Sequence, residues 1–353
     1  DPEEAATTAN YTTLTALGYA YNSAGRDLEA EHLLETVVRA QPDRLAPYTD
    51  LAYINKRGYL NDQASRWFEL AIDNKPLYPI DEDAKLELEE QIWDFRRENQ
   101  TLNNKHDFSA YSIGRTQFGG GDTVLDPTGS STLTSQGGME YAYRLDDVDW
   151  IDDYPLGFRD GETLHVFVRS FWGYQDNSLV IDQPTMQGGA GLRWKPIADQ
   201  SFYLSGERLF RIGNQSRNDW LLRASYGWDT GYDIEPVRDD WPFATIFTDV
   251  AWIPGNDWTV FLTAEGRLGR SFKYGEQTVI TPHVMAGVYD TEDDTSSTTI
   301  MEFGPGISFK YWFNDTKYEA FRSSAELIVQ YRGAIVRGEG FSNGIVGTLL
   351  ISF

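Results

Sequence analysis

Few residues in this chain are of a type that does covalent or metal chemistry. It has no cysteine and four histidines, His32, His106, His165 and His283. None of the four stands at metal-ligand spacing from another histidine or a carboxylate. A Ser-His pair joining His165 or His283 to Ser170 or Ser225 stays open as a hydrolase arrangement. The acidic run Asp290, Glu292, Asp293 and Asp294 could hold a cation, but it lacks the glycine and terminal glutamate of a calcium loop. A solvated charge run explains it better. Gly304-Pro305-Gly306 falls inside an alternating stretch and is no phosphate loop. No catalytic residue, metal or cofactor is expected.

What remains is a set of charges spaced by twos. Arg223 alternates with Leu222 and Ala224, Glu265 and Arg267 with Ala264 and Leu268, and Glu326 with Ala325 and Leu327. Such spacing puts the charges on one face of a strand and the apolar residues on the other. From residue 104 to the end the same pattern recurs about 12 times, with strands expected to start near 107, 132, 162, 184, 200, 217, 242, 257, 277, 297, 320 and 343. The apolar faces end in aromatics, as with Trp220 and Trp228, or Trp172 and Tyr174. A soluble sandwich gains nothing from that placement, whereas a bilayer interface does. The last strand alternates Leu349, Ile351, Phe353 up to an aromatic carboxylate, the usual ending of outer-membrane barrels. The expectation is an α+β chain of two domains: helices over 1–103, and over 104–353 an antiparallel transmembrane β-barrel.

The polar faces then line a lumen: Glu140, Arg144, His165, Arg169, Arg193, Glu207, Arg223, Asp249, Glu265, Arg267, Glu302, Lys310, Glu326 and Arg332. Both signs occur in similar numbers. They suit either a conduit that hydrogen-bonds a sliding glycan or a salt-bridge network that fills a small barrel. Phe167, Phe171, Phe247, Phe261 and Tyr289 fall on the same faces, where they could stack on sugar rings or simply pack. An even strand number leaves both barrel termini on the periplasmic side. The outward connections would include Gly119–Gly121, Asp176-Asn177, Gly213, Asn214 and Gln215 through Asn218, Gly255-Asn256, Asp290 to Ser297, and Gly338 to Asn343.

The first hundred residues follow helical spacing with a 34-residue period: Leu17 and Leu51, Ala30 and Ala64, Pro42 and Pro76. That period is the tetratricopeptide pattern, with a further helix over Asp83–Glu98 as a cap. Bulk composition is consistent with this plan. Aromatics make up 14% of the 353 residues, and no apolar run is long enough for a membrane helix. A net charge of −24 argues against nucleic acid. The chain opens at Asp1 without a methionine, which points to a removed signal peptide or a piece of a longer protein.

The stretch Phe202 to Gly213, followed by Arg217 to Tyr226, is more specific than generic barrel sequence, as are Ile280 to His283 and Ser308 to Asn314. These segments resemble the C-terminal domain of the bacteriophage adsorption protein A family (NfrA), from about residue 190 to the end. The resemblance implies an outer-membrane protein that a phage tail protein uses for adsorption, with outer-membrane lipid around it and its repeats in the periplasm. It further implies a partnership with an inner-membrane glycosyltransferase and a role in exporting a surface glycan polymer (exopolysaccharide). A non-conducting surface anchor is the alternative. Family members are usually longer at the N-terminus, so this chain would be a C-terminal piece or a shortened relative.

Overall fold

A computed structural model describes residues 2–75, 81–117, 135–145, 161–175, 179–255, 257–336 and 343–353. Gly119–Gly121, Asp176-Asn177, Asn256, Pro76 and most of Gly338–Asn343 lie outside the described residues. The chain divides into two compact units, one of Asp1–Asn104 with Asn314–Arg322, the other of Lys105–Phe313 with Ser323–Phe353.

Among the described residues the first unit holds five helices: α1 (Pro2–Ser23), α2 (Asp27–Ala40), α3 (Leu45–Arg57), α4 (Asn61–Asp73) and α5 (Glu82–Asn103). Apolar residues at helical spacing make its core, with Ala30, Leu34, Leu51, Ala64 and Phe68 fully buried. Gly18 lies where α1 meets α2, and a Cβ there would come within 2.8 Å of Leu34. The last helix runs longer than the expected Asp83–Glu98. Its final turns are held by Ser65 Oγ donating to Asn99 Oδ1 at 2.6 Å and by Arg96, which donates to the carbonyls of Thr316 and Glu319. These contacts draw the nine residues from Asn314 to Arg322 into the helical unit, and no local sequence pattern announces them.

The second unit is a closed antiparallel barrel. Its strands are β1 (His106–Gln117), β2 (Gln136–Arg144), β3 (Thr163–Gly173), β4 (Gln187–Lys195), β5 (Ser201–Arg211), β6 (Trp220–Thr230), β7 (Asp240–Ile253), β8 (Thr259–Tyr274), β9 (Thr278–Asp293), β10 (Ser297–Phe313), β11 (Ser323–Val336) and β12 (Gly344–Ser352). Each pairs with its sequence neighbour. Closure comes from β1 against β12, with Gly114 opposite Gly347, and from reciprocal bonds between the backbones of Phe108 and Phe353. Both barrel termini therefore share one rim, called here the terminal rim.

Burial follows the pleat. On β9, Thr281, His283, Met285 and Tyr289 are buried, while Pro282, Val284 and Ala286 are exposed. The exposed face is apolar from Ile280 to Val288 and turns acidic at Asp290 and Glu292. That stretch matches the roughly 9–11 residues a tilted strand needs to cross a bilayer core. On β6, Trp220 and Trp228 bracket Leu222 and Ala224, and both tryptophans are exposed. Leu268 at 64% and Val168 at 52% exposure belong to the same outward belt, which only a hydrocarbon solvent would tolerate.

Two expectations need correction. Asp290, Glu292 and Asp293 belong to β9 and not to a loop, because β9 and β10 stay paired as far as Glu292 opposite Ser297. Only Asp294, Thr295 and Ser296 form the connection. Several strands also begin a few residues away from the expected starts, for example β2 at Gln136 and β11 at Ser323. Alternation locates a strand's faces better than its ends.

Candidate functional site: the barrel lumen

Side chains on non-neighbouring strands can meet only across the interior of a barrel. Arg193 on β4 donates to Glu140 on β2 at 2.5 Å, and Arg169 on β3 pairs with Glu207 on β5. Arg115 on β1 reaches Glu302 on β10, and Arg332 on β11 reaches Glu265 on β8 at 3.1 Å. Neighbouring strands contribute Arg223 to Asp249 at 2.7 Å and, within β8, Arg267 to Glu265 at 2.8 Å. His165 Nε2 stands 3.4 Å from Asp107, and Arg144 is buried at the terminal rim. Glu326 accepts from the Tyr232 hydroxyl at 2.8 Å, and Lys310 lies 3.5 Å from the Tyr232 ring and 3.8 Å from that of Trp312.

The lumen is not uniform. On the β8–β11 side it is filled. Arg332, 1% exposed, donates to the Tyr289 hydroxyl at 2.6 Å and to Gln330, while Glu302 Oε2 stands 3.6 Å from it. His283 packs into the same core, with Gln330 at 3.0 Å and Thr281 at 3.0 Å. Gly306 makes room for it, since a Cβ there would come within 2.6 Å of both His283 and Gln330. This explains the Gly304-Pro305-Gly306 segment as a packing feature within β10. The connection after β6 also folds inward. Gly231, at φ +66°, begins it, and a Cβ there would strike the Pro242 carbonyl at 2.1 Å. Lys273 donates to the carbonyls of Glu235 and Pro236 and fastens the loop.

On the β1–β7 side the lumen holds a cavity of about 600 Å³. It runs from Asp107 at the terminal rim past Glu140, His165, Arg193, Arg223 and Asp249 to Phe171. There it ends on an apolar cluster of Phe171, Leu209, Leu221, Ala251, Ile253 and Phe261, contributed by β3, β5, β6, β7 and β8 near the far rim. Among the described residues the cavity is therefore open toward the terminal rim and closed by this cluster toward the far one.

Of the aromatics expected inside, Phe171 and Phe261 form part of this seal, Phe167 lies under Arg193, and Tyr289 is bound into the Arg332 network. Phe247, 38% exposed, lines the cavity along its side, and Phe171 lines it at the sealed end. Arg115 and Tyr232 escape the sequence pattern. Arg115 ends a mixed face of Ser109, Tyr111 and Ile113 that reads weakly as alternation, and Tyr232 sits in a loop with no periodicity.

At the far rim, the β5–β6 connection leans on a short 3₁₀ turn, Gln183–Thr185, that precedes β4. Gly213 donates to the Met186 carbonyl at 2.8 Å and Gln215 to that of Pro184 at 2.9 Å, leaving the side chains of Asn214 and Gln215 exposed. The carboxylate of Asp293 accepts bonds from Thr295 and Ser296, so its oxygens brace the hairpin turn. Those bonds hold its pKa down at about 2. Asp290 accepts from the Thr299 hydroxyl.

A closed barrel of 12 antiparallel strands with an apolar, aromatic-edged exterior is an outer-membrane protein. The terminal rim is then periplasmic and the far rim extracellular. Residues 178–347 match the family described as bacteriophage N adsorption protein A, C-terminal domain. The chain is 27% identical over 335 residues to the bacteriophage adsorption protein A of Escherichia coli K12, covering 92% of this chain and 32% of that protein. It thus spans about a third of that relative's length. The resemblance read from the Phe202–Tyr226 segment holds. Among solved structures, the outer-membrane channel COG4313 of Pseudomonas putida F1 is similar at a TM-score of 0.35, with 11% identity over 70% of this chain and 94% of that one. The β domain of the Bordetella autotransporter BrkA is similar at 0.36, with 10% identity over 71% of this chain and 99% of that one.

Proposed function

We propose that this chain is a cell-surface receptor for phage adsorption, anchored by its barrel, and that the extracellular connections are the contact surface for a phage tail protein. The observation that carries this reading is the likeness to an adsorption protein over 92% of the chain. The ordered β5–β6 connection supports it, because a docking surface held by backbone bonds loses little entropy on binding. Gly213, Asn214 and Gln215 are the first candidates, followed by Asp294 and the Asp290–Asp293 end of β9. Deleting Gly213–Asn218, and separately shortening Asp290–Ser297, should each lower the phage adsorption rate while the barrel still assembles. If adsorption survived both deletions, these connections would be abandoned as the contact site.

Export of a surface glycan is a second reading, favoured by the cavity open to the periplasmic rim. Its Arg–carboxylate pairs and the Phe247 face suit a neutral or weakly charged saccharide. Passage would require the Phe171–Phe261 cluster to part. In this reading the helical unit is a tetratricopeptide module that docks a partner such as an inner-membrane glycosyltransferase. Burial of both Ala30 and Ala64 at the 34-residue spacing supports the repeat assignment. Single-channel recording tests export. Gating steps in the presence of an oligosaccharide would favour it, and a silent barrel would count against it.

A further inference from the structure

The lipid-facing surface of β5 and β6 carries a charge where a bilayer core should meet none. Arg208 alternates outward between Gly206 and Phe210, and its Cα partners are Ala190 on β4 and Trp220 on β6, also outward. The apolar side chains of Phe210 and Ile212, 47% and 56% exposed, stand between Arg208 and the extracellular connection. Its guanidinium lies 5.8 Å from the Trp220 ring centroid, and no carboxylate pairs with it among the described residues. By contrast Arg270, the outward arginine at the periplasmic edge of β8, is paired with Asp240. An outward arginine with apolar side chains on both sides and no counterion costs a barrel little at the interface and more toward the midplane, and gains from an anion that a ligand supplies.

Directly beneath Arg208, toward the periplasm, the exterior is grooved. A hollow of about 600 Å³ is lined by Leu192, Leu204, Leu222, Val250 and Trp252, with Gly206 and Ala224 as its floor. Gly206 is the outward neighbour of Arg208, and Leu222 that of Trp220, so the groove's upper lining stops one outward position short of Arg208 and Trp220. A Cβ on Gly206 would make only ordinary contact with Leu222, so packing does not demand glycine there. Its absence of side chain keeps the groove deep.

We propose that this is a binding site for a phosphorylated lipid of the outer leaflet. An acyl chain lies in the groove over Gly206 and Ala224, and a headgroup phosphate accepts hydrogen bonds from Arg208, backed by Trp220. Charge complementarity selects phosphate, the apolar groove selects a membrane-resident ligand over free phosphate, and the extracellular level of Arg208 selects the leaflet.

The test is native mass spectrometry of the full chain in mild detergent, titrated with bisphosphoryl lipid A, its dephosphorylated form and phosphatidylethanolamine. Wild type should retain one bisphosphoryl lipid A. Arg208→Ala should weaken retention about tenfold, as expected for loss of a charge-assisted hydrogen bond, and Arg208→Lys should restore part of it. Gly206→Leu fills the groove without touching the charge and should also reduce retention. Its outward position spares folding, which heat-shifted gel mobility would verify. Equal retention of dephosphorylated lipid A, equal retention of phosphatidylethanolamine, or unchanged binding by both Arg208→Ala and Gly206→Leu would each overturn the proposal.

Discussion

The two sides of the lumen use the same chemistry to different ends. On the β8–β11 side Arg332 and Glu302, with Arg115 reaching in from β1, are at most 5% exposed and lie among aromatic and amide groups. On the β1–β7 side Arg193 and Glu140 keep 30% and 19% side-chain exposure and line a cavity. A carboxylate–guanidinium pair that water cannot reach must be complete, because a partner left alone keeps its full desolvation cost. A pair beside water can lose a member and be rehydrated. The first kind fixes how strands meet across a barrel. The second leaves a polar wall that can exchange water for a ligand. Counting inward charges does not distinguish them.

Substitutions can break this contrast. The largest effect is expected at Arg332, whose guanidinium serves Glu265, Tyr289 and Gln330 together. Arg332→Ala should destabilise the barrel by about 3–5 kcal/mol, read by urea unfolding in lipid vesicles through tryptophan fluorescence. A loss as small as that of an exposed pair would mean the filled side is hydrated after all. Leu209→Ala should cost about 2–5 kcal/mol by opening a void in the seal. Combined with Phe261→Ala, it should also convert a silent barrel into one with discrete conductance steps in planar bilayers. Silence in the double variant would place the barrier elsewhere. Arg193→Ala should cost about 1 kcal/mol or less and leave conductance unchanged, since it lies beside the cavity and not in the seal.

How much of this could be read from the chain differs by feature. The strand faces were legible because a strand has a period of two and a barrel wall separates hydrocarbon from interior, so Trp220, Leu222 and Ala224 could face only one way. The inward residues from Glu140 to Arg332 followed from the same rule, but their partners did not. Nothing local pairs Arg193 with Glu140 across β3, or Arg115 with Glu302 through the lumen, since such meetings depend on closure and stagger. The seal was hidden for the same reason. Leu209, Leu221 and Ile253 are inward apolar residues near strand ends, and in sequence they merely interrupt the alternation of polar with apolar. Tyr232 illustrates a different limit: a loop residue becomes a lumen residue only because Gly231 turns the chain inward.

The smallest effect is expected at the extracellular edge, where β9 leaves the apolar belt. Asp293 has four donors from Thr295 and Ser296 around one carboxylate at the half-exposed end of β9, so these bonds order the turn and contribute little to the fold. They hold its pKa at about 2, below the ordinary aspartate value of about 3.9. A carboxyl group depressed on folding stabilises above the unfolded value and loses that effect as pH falls through the folded one. The turn should therefore stay ordered from neutral pH to about 4 and loosen only toward pH 2. Amide shifts of Thr295 and Ser296, followed by NMR in micelles, would report it. A midpoint near the ordinary aspartate value would show that the four bonds are not kept in solution. Asp293→Asn should remove the titration and raise the exchange rate of both amides, while the Arg332 network on the filled side stays unchanged.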